Sequence, residues 1–156
     1  MAALVVYDSK YGNTERLALV IADALGASAR RASEVASTEL AGCELLVVGS
    51  PTWGGRPTPA VREFVRGIPA GSLRGAQVAA FDTRLDPPGR AQRLMLRFVG
   101  HAAGRIAKAL RRSGGRPAAA PAGFIVAGTE GPLGAGEEER ALRWARGMAV
   151  VVARQR

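Results

Sequence analysis

Apolar residues fall into two patterns along this chain. Four short runs are continuously apolar: Leu4-Val5-Val6-Tyr7, Leu45-Leu46-Val47-Val48, Val78-Ala79-Ala80-Phe81 and Phe124-Ile125-Val126-Ala127. None alternates polar with apolar residues, so each predicts a strand covered on both faces, as in a parallel sheet. Between them the apolar positions take a helical period. Leu17, Val20, Ile21 and Leu25 share a face, and Gly26 ends that helix. Thr58-Pro59 reads as an N-cap with proline at the first helical position, ahead of Val61, Phe64, Val65 and Ile68. A last helix is predicted over 137–153, with Glu137, Glu138 and Glu139 opposing the positive end of its dipole. A fifth strand, Ser28-Ala29-Arg30-Arg31-Ala32, is short and polar, which suits a sheet edge.

Strand and helix in alternation predict a three-layer α/β fold. Right-handed crossovers then wind five parallel strands in the order 2-1-3-4-5. The 156 residues make one domain, 1–156, and 47% hydrophobic content is enough for its core. Linker-like stretches occur only at 85–90 and 113–121.

Two loops carry candidate chemistry. Ser9-Lys10-Tyr11-Gly12 joins the first strand to a helix opening at Asn13-Thr14. Main-chain N–H groups at such a helix start lack partners, and a phosphate dianion satisfies them. Gly12 permits the backbone turn, Ser9, Asn13 and Thr14 add donors, and Lys10 adds a full charge. The alternative is a plain helix cap, for which Gly-Asn-Thr suffices. The second loop, Gly49-Ser50-Pro51-Thr52-Trp53-Gly54-Gly55-Arg56-Pro57-Thr58-Pro59, follows the strand that neighbours strand one across the topological switch point, where open α/β sheets bind ligands.

The hexapeptide Ser9–Thr14 resembles the flavodoxin phosphate loop, with Tyr11 in place of a small hydroxyl residue, a variant similar to the loops of flavodoxin-type NAD(P)H:quinone oxidoreductases. Gly49–Pro59 resembles the family's flavin-contacting loops. The resemblance implies a flavodoxin-like fold with FMN as cofactor. Ser9, Lys10, Tyr11, Gly12, Asn13 and Thr14 would then hold the phosphate. Pro51, Thr52, Trp53 and Gly54 would lie along the isoalloxazine ring, with Trp53 stacked on it. Asp82, Thr83 and Arg84, in the loop after the fourth strand, would take the third flavin-contacting position. Many flavodoxins place an aromatic there; Arg84 instead leaves one flavin face open and adds a charge that favours the reduced flavin, unless it pairs with Asp82 or Asp86.

The segment 90–112 is longer than its crossover needs. Arg90, Arg93, Arg97, His101, Arg105, Lys108 and Arg112 fall on one helical face, with Ala91, Met95, Phe98, Ala102, Ile106 and Leu110 on the other. Gly100 and Gly104 are expected to split it into a lid and a main helix. The basic face is either a solvated surface or a docking surface for an acidic redox protein or anionic membrane lipid. The net charge of +9 agrees with anionic partners.

Composition narrows the rest. No apolar run approaches the ~20 residues of a membrane span, and the first residues lack the basic stretch of a signal peptide. Cys43, the sole cysteine, allows no internal disulfide, so a reducing cytoplasm is expected. The sequence lacks the P-loop pattern G-x-x-x-x-G-K-[ST], a receiver aspartate after the strand at 45–48, a phosphatase cysteine and any nucleic-acid motif. One histidine and one cysteine build no usual metal site. Three functions stay open: an FMN-binding electron-transfer protein; an FMN-dependent NAD(P)H:quinone or protoporphyrinogen-type oxidoreductase; and a flavin-free interaction module. Redox partner proteins, quinones and NAD(P)H are the partners these imply.

Overall fold

Every continuous apolar run becomes a strand, because only a sheet covered on both faces buries such residues. The computed structural model describes residues 1–86 and 89–156, apart from the side chains of 96–99. The expected roles of Arg97 and Phe98, and part of the linker at 85–90, lie outside the described residues. In chain order the elements are β1 (Ala3–Tyr7), α1 (Asn13–Leu25), β2 (Ser28–Arg31), β3 (Leu45–Pro51), α2 (Pro59–Arg66), β4 (Gln77–Leu85), α3 (Arg90–Val99), α4 (Ala102–Arg112), β5 (Arg116–Pro117), β6 (Ala122–Val126) and α5 (Glu137–Ala153). The sheet is parallel with order β2-β1-β3-β4, and β5 and β6 both pair with the outer side of β4. This is the expected flavodoxin-like 2-1-3-4-5 winding, with the fifth strand in two pieces.

The break in the fifth strand has a register cause. Gln77 faces Arg116 and Phe81 faces Ala122, so four steps on β4 meet six on its partner. Ala118-Ala119-Ala120-Pro121 bulges out between them, and neither Pro117 nor Pro121 can donate to the ladder. The stretch expected to be only a linker thus carries a short strand.

Alternate residues of each strand feed opposite layers. Val6, Val48 and Ala80 pack with Val61, Phe64, Val65, Ile106 and Leu110 from α2 and α4. Val5, Val47, Ala79 and Phe81 pack with Leu17, Ile21, Ala145 and Met148 from α1 and α5. In that second layer Phe81, Phe124 and Trp144 meet edge to face with centroids 6.1–6.2 Å apart. Phe81 needs the glycine beside it on β3: a Cβ on Gly49 would lie 2.1 Å from the ring.

The long basic segment does split. Gly100 takes φ 80° and His101 is extended at the N-cap of α4, so the break falls there, while Gly104 stays helical. Ala102, Ile106 and Leu110 are buried as their spacing predicts. Ala91 and Met95 are instead exposed, because α3 has no core beneath its described side chains.

Candidate functional site

The carboxyl ends of β1, β3 and β4 meet at the switch point of the sheet. A cleft of about 90 Å³ lies there, lined by Ser9, Lys10, Tyr11, Asn13 and Thr14, by Pro51, Thr52 and Trp53, and by Thr83, Arg84 and Leu85. That is well below the ~300–1,000 Å³ of a pocket enclosing a whole ligand. It suits a group of phosphate size, with anything larger lying outward across Tyr11 and Trp53, which are 44% and 45% exposed. A roomier cavity of about 930 Å³ sits elsewhere, between α4 and the broken fifth strand.

The first loop forms a nest. Gly12, at φ 92°, turns the chain into α1. Two of its amides are occupied by the loop itself: Ser9 N–H donates to Asp8 Oδ1 at 2.9 Å, and Gly12 N–H to Ser9 Oγ at 3.1 Å. Among the described residues no protein acceptor meets the amides of Lys10, Tyr11, Asn13 and Thr14. They open where the dipole of α1 is positive. Lys10 Nζ lies 5.4 Å from the Tyr11 ring centroid and 5.5 Å from that of Trp53, within cation–π range of both.

Not every predicted donor faces the nest. Asn13 Nδ2 donates to the Glu130 carbonyl at 3.2 Å, tying α1 to the loop after β6. The buried Thr14 hydroxyl meets that of Thr83 at 2.8 Å, which joins the nest to β4. Sequence reasoning missed Arg31. From the edge strand it donates to the Ser9 carbonyl at 3.2 Å and to Glu15 at 2.9 Å, and it lies 3.7 Å from Asp8. It offsets the Asp8 carboxylate beside the nest and braces the loop from below. Its only signal was an arginine pair inside a weak strand. Tyr7 completes this support by donating to Glu15 at 2.7 Å. Burial, and then that carboxylate, push the Tyr7 phenol above its ordinary value.

The second loop is a tight hairpin turn. Trp53 and Arg56 exchange backbone hydrogen bonds of 2.8 and 3.0 Å around Gly54 and Gly55, at φ 56° and 78°. Two successive positive φ values define a primed turn, which only glycine takes without strain. The turn is anchored from α4: Arg105 Nε donates to the Gly55 carbonyl at 2.9 Å, and the Ala102 amide donates to Thr52 Oγ1 at 3.1 Å. Gly54 shapes the turn and does not line the cleft. Thr58 sits at the N-cap of α2 as expected, yet its hydroxyl makes no cap bond and is buried without a partner.

The third set of residues differs from expectation. Asp82, Thr83 and Arg84 lie on β4 and not in a loop after it, because β3 pairs with the strand as far as Thr83 and β6 as far as Leu85. Strand alternation then separates them. Thr83 turns toward Thr14. Asp82 is fully buried on the α4 side, away from the cleft, where it accepts two bonds from Arg84 at 2.7 and 2.8 Å and one from the Ala103 amide at 2.9 Å. The Arg84 guanidinium lies against Gly123 of β6, where a Cβ would come within 2.2 Å. Arg84 reaches the cleft with its charge balanced by Asp82, the pairing that the sequence left open as the alternative to a free cation. His101 lies beside this pair. Burial, and then Arg84, lower its proton affinity against the opposing pull of Asp82.

A doubly wound parallel sheet with open main-chain amides at its switch point defines the class, an α/β domain with flavodoxin topology. The flavodoxin domain family matches residues 4–124, and this chain belongs to it. No curated relative matches the sequence. Solved structures share the fold. A flavodoxin from the domain Archaea is 21% identical with a TM-score of 0.74, covering 98% of this chain and 99% of that one. Oxidised Flavodoxin 2 from Bacillus cereus is 20% identical with a TM-score of 0.73 over 100% of both chains. A WrbA-like flavodoxin from Agrobacterium tumefaciens is 17% identical with a TM-score of 0.75, covering 99% and 98%.

Proposed function

We propose that the cleft holds FMN by its phosphate and that the protein is a flavodoxin-like electron-transfer domain. The observation that carries this reading is the set of four open amides at residues 10, 11, 13 and 14, ringed by Lys10 and the start of α1. A phosphate dianion fits that donor set. Asp8 is the one misplaced charge, and it is held by the Ser9 amide and Arg31. Trp53 and Tyr11 offer exposed rings on which a planar heterocycle stacks. FMN, when bound, supplies the redox chemistry; the protein supplies binding, orientation and field. The lone Cys43 suits a reducing cytoplasm.

A second reading is favoured by one observation. The outer side of the cleft presents Arg84 and the half-exposed Leu85 in place of an aromatic cover. That leaves an approach path for a small substrate, as an FMN-dependent NAD(P)H:quinone or protoporphyrinogen-type oxidoreductase requires.

Titration of the apoprotein with FMN, followed by Trp53 fluorescence, tests the first reading. Quenching with 1:1 saturation, lost in Trp53→Phe, is expected. No uptake at millimolar FMN would remove both redox readings and leave a flavin-free interaction module. NADPH oxidation in the presence of a quinone separates the remaining two.

A further inference from the structure

The helix α3 (Arg90–Val99) is the next element after β4, whose last residue, Leu85, lines the flavin-proposed cleft. This helix is amphipathic by sequence, with Arg90 and Arg93 on one side and Ala91, Leu94 and Met95 on the other. An amphipathic helix ordinarily turns its apolar stripe onto the core. Here Leu94 is 55% exposed and Met95 62%, and Leu85 at the end of β4 is 50% exposed. Arg93 lies 3.8 Å from Asp86 in an exposed ion pair, and the Gly100-His101 break leads into the buried first turn of α4. The apolar side chains described on this helix therefore face solvent.

Apart from Asp86, which pairs with Arg93, the charge in this stretch of chain has one sign. Between Asp86 and Glu130 the sequence has no carboxylate, whereas 90–112 alone carries seven arginines and lysines. Arginine beside exposed leucine and methionine on one short helix is the pattern of an element lying in a lipid headgroup layer, with cations at the phosphates and apolar side chains at the acyl boundary. No helix among the described residues is long and apolar enough to cross a bilayer, so the contact is peripheral.

We propose that α3 and Leu85 form a docking surface for an anionic membrane, which brings the rim of the cleft to the lipid surface. The proposal does not need flavin in the cleft, so its failure is separate from that of the FMN reading. It also names a use for the cleft's open side, because a substrate or partner resident at the membrane would meet Leu85 first.

The test is co-sedimentation of the full chain with vesicles of pure phosphatidylcholine and with vesicles containing phosphatidylglycerol. Binding to the anionic vesicles alone is expected, weakening as salt rises. Arg90→Gln/Arg93→Gln should lower the partition coefficient by roughly fivefold per arginine. Leu94→Ser/Met95→Ser, which keeps every charge, should lower it about tenfold. Circular dichroism of both exposed-site variants should match the parent chain. Failure to bind anionic vesicles at low salt overturns the proposal. So does an unchanged partition coefficient for Leu94→Ser/Met95→Ser, which would leave a charge-only surface of the kind an acidic protein recognises.

Discussion

Removing the Asp82 carboxylate tests how the third loop region is held together. Asp82 has no solvent exposure and accepts three hydrogen bonds, two from Arg84 and one from the Ala103 amide at the start of α4. Asp82→Ala strands a guanidinium whose side chain is only 23% exposed, and orphans a buried amide. Breaking a buried pair from one side costs about 3–5 kcal/mol. With a urea m-value of ~1–3 kcal/mol/M, the unfolding midpoint should fall by at least about 1 M. Arg84→Met leaves the opposite charge unpaired and should cost a similar amount. The double variant Asp82→Ala/Arg84→Met should cost much less than the sum, about 2–3 kcal/mol, since only the orphaned amide and lost packing remain. Urea unfolding of the four proteins at pH 7 closes the cycle. A loss below about 1 kcal/mol for Asp82→Ala, or costs that add within ~0.5 kcal/mol, would refute the account of a buried, mutually dependent pair.

Three further outcomes are expected. Gly49→Ala drives a Cβ to 2.1 Å from Phe81, inside a ring cluster with no slack; a loss of about 3 kcal/mol is expected, read as a drop in Tm of roughly 6–12 °C. The Glu137 carboxyl is held below the usual carboxylate range, chiefly by Arg140, against the cost of burial and with help from the Ile125 amide. A depressed folded value means that its stabilisation is complete above the unfolded value of about 4.3 and is lost as pH falls through the folded one. Glu137→Gln should therefore cost about 1 kcal/mol at pH 7, and urea titrations should begin to converge with the parent as pH falls below about 4.3 and meet it once pH is below the folded value. Lys10→Ala should weaken FMN about five- to tenfold at low salt while leaving riboflavin, which lacks the phosphate, unaffected in calorimetry; equal losses for both would move Lys10 from the phosphate to the ring.

The sequence by itself carried the sheet. Short continuous apolar runs bounded by turn residues suit strands covered on both faces, and the Ser9–Thr14 loop between the first run and an amphipathic helix marked where unpartnered main-chain amides open. The end of α1 at Gly26, the extent of α5 and the split near Gly100 were legible for the same reason: each is decided by local backbone preference and period. What depends on distant neighbours was not legible. Asp82, Thr83 and Arg84 read as a loop because their polarity hides a strand that β3 and β6 extend by pairing. The burial of Asp82 and its bond from the Ala103 amide, the bracing of the nest by Arg31 and the two-piece fifth strand all join residues through space or register; that Arg84 pairs with Asp82 was one of the readings the sequence left open. The exposed stripe of α3 was unreadable on the same ground. Periodicity tells which side of a helix is apolar, but only the packed tertiary structure decides whether a core lies against it.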